Sequence, residues 1–332
     1  MSKATAVVPV GRVSRPTGGI VYWLRFSGIR LARITVSVFI LVSATFFMVK
    51  LIPGDPVIAA LGDSATPELV ANLRYELGLD KSLIIQYLNY FRDLLSGDFG
   101  KSILTKNEVS SLLQVRLPNT LSLAVPAFIL VQLIAVPLGF MIALLTRGGK
   151  KERLRSTFVN TTGLLNSIPE FVMAVALSAT FAVWLRLLPV AGKGGSDSYV
   201  LPIAAMVIGS AATLSRIVRV EALKVLDADY ILSARSRRLP PSLLYFRHVL
   251  PNMLTASLTY SGVLLGSLVA GTVLVENIFG WPGLGTAIAE AVVQKDYPVI
   301  QGILLVLGAF VLAINMIVDI MLGILDPQSR IK

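Results

Sequence analysis

The sequence predicts an all-α, polytopic membrane protein with six transmembrane helices. Three observations carry that prediction. Apolar residues recur in six runs of roughly 20 or more, the length at which a helix rising about 1.5 Å per residue crosses a hydrocarbon core. The chain is 55% hydrophobic and 15% charged with a mean hydropathy of +0.75, whereas about a quarter of a soluble domain is charged. Lysines and arginines, finally, gather in short clusters at alternate ends of the apolar runs.

The first run covers residues 31–51 and ends at Pro53-Gly54-Asp55-Pro56, where two prolines and a glycine cannot continue a helix. It follows a basic segment, residues 1–30, without a small-residue cleavage site, and so reads as a retained helix rather than a signal peptide. The second run covers 119–146, where Pro126 and Pro137 are expected to introduce kinks. The third covers 158–185, the fourth 199–218, the fifth 252–275 and the sixth 298–322. Between the first two runs, residues 53–118 mix acids and bases almost evenly. Thr66 is placed there to cap a helix that opens on Pro67, so a small folded helical insertion is expected.

Orientation follows from the basic residues. Arg12, Arg15, Arg25, Arg30 and Arg33 precede or open the first run, and Arg147, Lys150, Lys151, Arg153 and Arg155 separate the second from the third. Arg216, Arg219, Lys224, Arg235, Arg237, Arg238 and Arg247 surround the fourth-to-fifth junction, and Arg330 and Lys332 close the chain. All four clusters fall on one side, which the positive-inside rule assigns to the cytoplasm together with both termini. The net charge of +11 is thus spent on topology, not gathered in the single stripe that nucleic acid requires. With no cysteine and one histidine, His248, disulfide chemistry is excluded and a thiolate or imidazole metal centre is disfavoured.

The segment 220–251, between the fourth and fifth runs, is the most informative. Leu223, Leu226, Tyr230 and Ile231 recur at helical spacing, which predicts a short amphipathic helix over 220–235. A break follows at Leu239-Pro240-Pro241, and a second helical piece leads to Leu250-Pro251. Such a helix either docks in a partner's groove or rests on anionic lipid.

This segment resembles the EAA loop, the coupling element of importer-type ABC permeases, in the version found in the dipeptide and oligopeptide permease family. The resemblance lies in Asp229-Tyr230-Ile231, Ala234-Arg235 and Leu250-Pro251, and Arg238 stands where the family usually has glycine. Leu232 takes the place of the broader motif's glutamate. Further landmarks are 51–56, 76–80, Gly97-Asp98-Phe99-Gly100, Phe279-Gly280-Trp281-Pro282-Gly283-Leu284-Gly285, Asp296-Tyr297-Pro298 and 315–319, so the likeness spans residues 31–332.

The resemblance implies an importer-type, MetI-like permease fold and a non-catalytic subunit forming half of a translocation pore in a bacterial plasma membrane. A homologous second permease, two cytoplasmic ATPase subunits or domains that hydrolyse ATP-Mg, an extracellular substrate-binding protein and membrane lipid would be its partners. The chain itself would bind no cofactor. Leu223, Leu226, Asp229, Tyr230, Ser233, Ala234, Arg235, Arg238, Leu250 and Pro251 would form the ATPase-coupling surface. Peptides are the implied solute, although the same layout serves glutathione and nickel complexes in this family. An ion-coupled transporter would need ionisable groups near the midplane, where the spans offer little beyond Glu170.

Other residues admit two readings. Acids inside spans are costly and face a cavity or a partner; Glu170 either lines the solute path or bridges helices, and Asp319 is expected to be structural. Gly262, Gly266 and Ala270 share a face, for close packing or for a gate. Glu276, Asn277 and Trp281 close the fifth run, either as a re-entrant cap over the pore or, for Trp281, as an interfacial anchor. Gly100-Lys101-Ser102 mimics the end of a phosphate-binding loop, but Leu95 occupies the first glycine position and the segment falls on the side away from ATP.

Overall fold

A computed structural model describes residues 19–51, 54–62 and 65–325. Its helices are α1 (Gly19–Lys50), α2 (Pro56–Leu61), α3 (Pro67–Glu76), α4 (Leu83–Leu95), α5 (Val109–Thr146), α6 (Glu152–Ser167) and α7 (Glu170–Leu177), which continues as a wider π-helical turn, Ser178–Trp184. Then follow α8 (Val200–Leu226), α9 (Asp229–Ser236), α10 (Pro241–Leu243), the π-helical Leu244–Val249, α11 (Leu250–Ile278), α12 (Leu284–Gln294) and α13 (Tyr297–Leu325). No strand occurs among the described residues, in keeping with the predicted all-α class. Contacts divide the chain after Ile40. The N-terminal unit holds the first part of α1, where Val36, Val38, Phe39 and Ile40 are exposed and apolar. Apart from the first part of α1, everything described below belongs to the second unit, residues 41–332.

Five stretches are long and apolar enough to cross a bilayer: Ala32–Lys50, Val109–Gly149, Ser196–Leu226, Tyr260–Ile278 and Tyr297–Val318. The sixth is not the single helix expected over 158–185. It is α6 and α7, bent by 91° at Ile168-Pro169. Pro169 has no N–H to donate, and a residue before proline is forced out of the helical region; Ile168 accordingly sits at φ −81, ψ 117. The same chemistry does not break α5, which is one helix through Pro118, Pro126 and Pro137. The neighbour decides: α5 lies along α8, with Ala135, Gly139 and Ala143 at four-residue spacing on the buried face. A Cβ on Gly139 would collide with the Ser215 carbonyl and Val218, so the backbones meet as only glycine permits.

The main core joins α5, α8 and α11, with Leu123, Met206, Leu214, Leu268 and Trp281 fully buried. A second cluster joins Val49, Val109, Leu113, Leu284, Ala287, Ile300 and Ile303. The insertion between α1 and α5 is helical as expected, and Thr66 Oγ1 accepts from Leu69 N at 3.4 Å at the head of α3. Its far end is pinned to the start of α13: Ser102 Oγ donates to the Asp296 carboxylate, which also accepts from Ile103 N at 3.1 Å. Ser102 and Lys101, which pairs with Glu108 across an isolated bridge, are thus committed within the fold rather than to a phosphate.

Candidate functional site

The predicted functional residues fall at the two ends of α8 and α11. One end is the turn from α8 to α11; the other is the connection from α11 to α12.

At the turn, the expected amphipathic helix over 220–235 is divided in two. Leu214, Val218, Ala222 and Leu226 are all buried at four-residue spacing, so the core stripe of α8 carries on past 218. With no breaking residue before Asp227, the helix continues to Leu226. Leu226 is fully buried and Leu223 packs against the core, so neither is presented outward as expected. Arg147, from the end of α5, stops the helix by donating through Nη2 to the Leu226 carbonyl at 2.7 Å and through Nε to Asp227 Oδ1 at 2.8 Å. A guanidinium at a helix C-terminus also opposes the helix dipole.

After this hinge, Ile231 anchors α9 in the core while Asp229, Tyr230, Leu232 and Ser233 stay exposed. Ala234 is half-buried against the core, and the side chain of Arg235 lies outside the described residues. Arg238 holds φ at 57°, a left-handed conformation that glycine adopts far more readily. The bend is therefore made by Arg238 itself, and Pro240 follows in an extended conformation. Beyond it, Leu244 and Val249 are buried, Tyr245 meets Phe140 edge-on at 5.8 Å, and Phe246 is 73% exposed. Leu250 packs against the core, and Pro251 stands in the first turn of α11, where its missing N–H costs nothing.

At the opposite end, Glu276 is fully buried near the end of α11. Its Oε2 accepts from Gly285 N at 2.6 Å and Thr286 N at 3.3 Å, so it caps α12, whose own N-cap, Gly283, has no side chain for the task. Asn277 Nδ2 donates to Val273 O and Gly285 O. Trp281 is also fully buried, which overturns its reading as an interfacial anchor. Its indole N–H donates to Asn119 O at 3.1 Å, and its ring meets Tyr199 edge-on at 4.6 Å. Asn119 Nδ2 donates to Pro282 O at 2.8 Å, and Thr120 Oγ1 accepts from Leu284 N at 2.8 Å. The head of α5 thus clasps the whole connection.

Gly262 and Gly266 lie where α11 meets α13; a Cβ on them would press on Val318 and Val311. Glu170 opens α7 just after the break, with its carboxylate against Gly271 of α11. Its Oε1 is buried and has no hydrogen-bond partner among the described residues. It borders a cavity of about 280 Å³ with Asn166, Ser210, Thr213, Tyr260 and Ser267, midway along α8 and α11. The side chain of Asp319 lies outside the described residues.

Sequence reasoning missed three residues. Arg147 was counted only as a topological charge, Asn119 only as the head of an apolar run, and Phe246 not at all. The one available signal was Phe246, an aromatic followed by Arg247 and His248.

The described residues thus form a helical bundle with an exposed elbow at one end and a buried clasp at the other. The fold agrees with an inward-facing structure of the MetNI methionine ABC transporter, at a TM-score of 0.57 and 19% identity over 65% of this chain and 97% of that one. Residues 135–331 match the family described as binding-protein-dependent transport system inner membrane component, and residues 23–124 match its N-terminal companion. A Brucella abortus protein whose assigned name is that of a peptide transport system permease is 36% identical over 91% of this chain and 97% of its own length. The glutathione transport system permease GsiC of Salmonella typhimurium is 32% identical over 91% and 98%. The chain belongs to the family of binding-protein-dependent transport system inner membrane components. It is a multi-pass, non-catalytic membrane subunit.

Proposed function

We propose that this chain is one of two homologous permease subunits in an ATP-driven importer of peptides, set in a bacterial plasma membrane with both termini in the cytoplasm. The observation that carries this reading is the elbow: Tyr230, Leu232 and Phe246 are exposed on a rigid mount made by buried Ile231, Leu244 and Val249. Apolar groups held outward by a packed base suit the groove of a partner, and the basic side of the membrane is where an ATP-hydrolysing chain would reach them. Two cytoplasmic ATPases, as separate chains, would each grip one such elbow. Their closure would act on α8 through Asp227 and on α11 through Leu250, turning both helices about their packed faces. A substrate-binding protein would deliver the solute at the clasp end.

Peptides are favoured by the relatives' names, and glutathione, itself a tripeptide, has the same chemistry of amide, carboxylate and ammonium. Glu170 would face the solute path, where a carboxylate with an unpartnered oxygen beside a polar cavity offers an acceptor to a passing ammonium group. The test is Ala234→Glu in the assembled transporter. A buried charge should detach α9 from its base, abolishing peptide uptake while the membrane level of the protein holds. Uptake that survived this change, or that continued without ATP while the ion gradient was kept, would point to an ion-coupled carrier instead.

A further inference from the structure

Helix α4 is amphipathic in the sense opposite to that of a soluble helix. Its polar residues Gln86, Asn89 and Asp93 line a cavity of about 350 Å³ beside α3, and Asp93, itself half-exposed, pairs with the exposed Arg92 at the margin of the opposite face. Its apolar residues Ile84, Leu88 and Leu95 are 72%, 59% and 78% exposed. Together with Phe91 they are spaced at i, i+4, i+7 and i+11, which places them on one face. Bare apolar groups turned outward and polar groups lining a cavity make sense where the surroundings are hydrocarbon.

The depth of α4 supports that environment. Tyr87 and Tyr90 fix it to α1 through hydroxyl bonds with Ser43 (2.8 Å) and Thr45 (3.3 Å), and both rings pack on Phe46. Tyr87 also stacks on the exposed Phe47. The apolar span of α1 runs to Lys50, so Ser43 to Phe47 lie three to seven residues before its end. At about 1.5 Å per residue, that is roughly 4–10 Å inside the boundary. Interfacial helices settle at that depth, about 5–10 Å into the headgroup and acyl border. The two tyrosines of the cluster Phe46, Phe47, Tyr87, Tyr90 and Phe91 are of the type enriched at membrane interfaces, and Tyr87 sets α4 beside the exposed Phe47 of α1.

We propose that α4 is a membrane-embedded interfacial helix whose Ile84–Leu88–Leu95 face is covered by lipid acyl chains of the leaflet at the clasp end. The insertion would then hang from the bilayer by α4 instead of standing free in water. Because the chain has no cysteine, single labels can be placed in it, with partner chains whose own cysteines are replaced or blocked before assembly. Ile84→Cys, Leu88→Cys and Asn89→Cys would each carry a nitroxide in the assembled transporter, reconstituted in phospholipid vesicles. Collision with oxygen, which concentrates in lipid, is compared with collision with a water-soluble nickel chelate. The oxygen-to-nickel ratio should be severalfold higher at positions 84 and 88 than at 89. A ratio at 84 and 88 no higher than at 89 overturns the proposal in favour of a solvated face. Exclusion of both reagents there overturns it in favour of a protein partner. The substitutions at 84 and 88 are at exposed positions, so misfolding does not obscure the result.

Discussion

The two ends of α11 treat equally prominent motifs in opposite ways. Before its first residue, Tyr230, Leu232 and Phe246 stand out from the surface on a buried mount. At its other end Glu276 and Trp281 vanish from solvent: the Trp281 indole N–H is taken up by Asn119 and Glu276 Oε2 by Gly285 and Thr286, while Glu276 Oε1 is buried with no hydrogen-bond partner among the described residues. Both segments read as functional from sequence, yet only one has contact surface left to give away. On the proposed reading the elbow would be pushed and the clasp would stay fixed while it is pushed. A landmark motif in a family therefore marks either a transmitter or the frame it works against, and burial separates the two.

This contrast can be broken first at the clasp. Trp281→Ala removes a fully buried aromatic together with its bond to Asn119 and should cost about 3–5 kcal/mol, as large aromatic deletions do. Thermal unfolding in detergent and the level of protein in the membrane would both drop. A variant of undiminished stability that merely stopped transporting would make the clasp a transmitter after all.

A smaller effect is expected at the hinge. Arg147→Ala frees the Leu226 carbonyl and Asp227 at a partly exposed site, so little stability should be lost. What should fall, severalfold, is the solute moved per ATP hydrolysed by the reconstituted transporter, because α8 no longer ends at a defined point. If uptake and ATP use declined in proportion, the hinge would have no coupling role.

The smallest effect is at Arg238. Replacing it by glycine relieves a positive φ that costs a side-chain-bearing residue about 1–2 kcal/mol, offset by about 0.4–1 kcal/mol of added chain entropy, so the melting temperature should hold or rise slightly. Transport should be unchanged. Loss of transport in Arg238→Gly with unaltered melting would mean that the guanidinium itself contacts the partner, which would enlarge the elbow's working surface.

Much of the bundle was legible because its signals are local. An apolar run of sufficient length has few fates, and Thr66-Pro67 announces a helix start within two residues. The elbow was legible as a position but not as a geometry. The spacing of Leu223 and Leu226 is the same whether α8 continues or a new helix begins, and only contact with the core tells the two apart. The clasp was legible as a motif, while its partners, Asn119 and Thr120, lie more than 150 residues away in the chain.

Proline shows where the division falls. From sequence, Pro126, Pro137 and Pro169 are equivalent interruptions of apolar runs. In the fold, the first two sit inside an unbroken α5 and the third turns the chain by 91°. The sequence by itself determined that this is a helical membrane protein and which segments punctuate its apolar runs, because those follow from hydropathy, charge and backbone chemistry within a few residues. Tertiary structure alone decided which proline bends, which glutamate caps and which aromatic is buried. Each of those outcomes depends on what packs opposite: for the buried Trp281 that is Asn119, 162 residues away, and for Glu276 the start of α12, nine residues on.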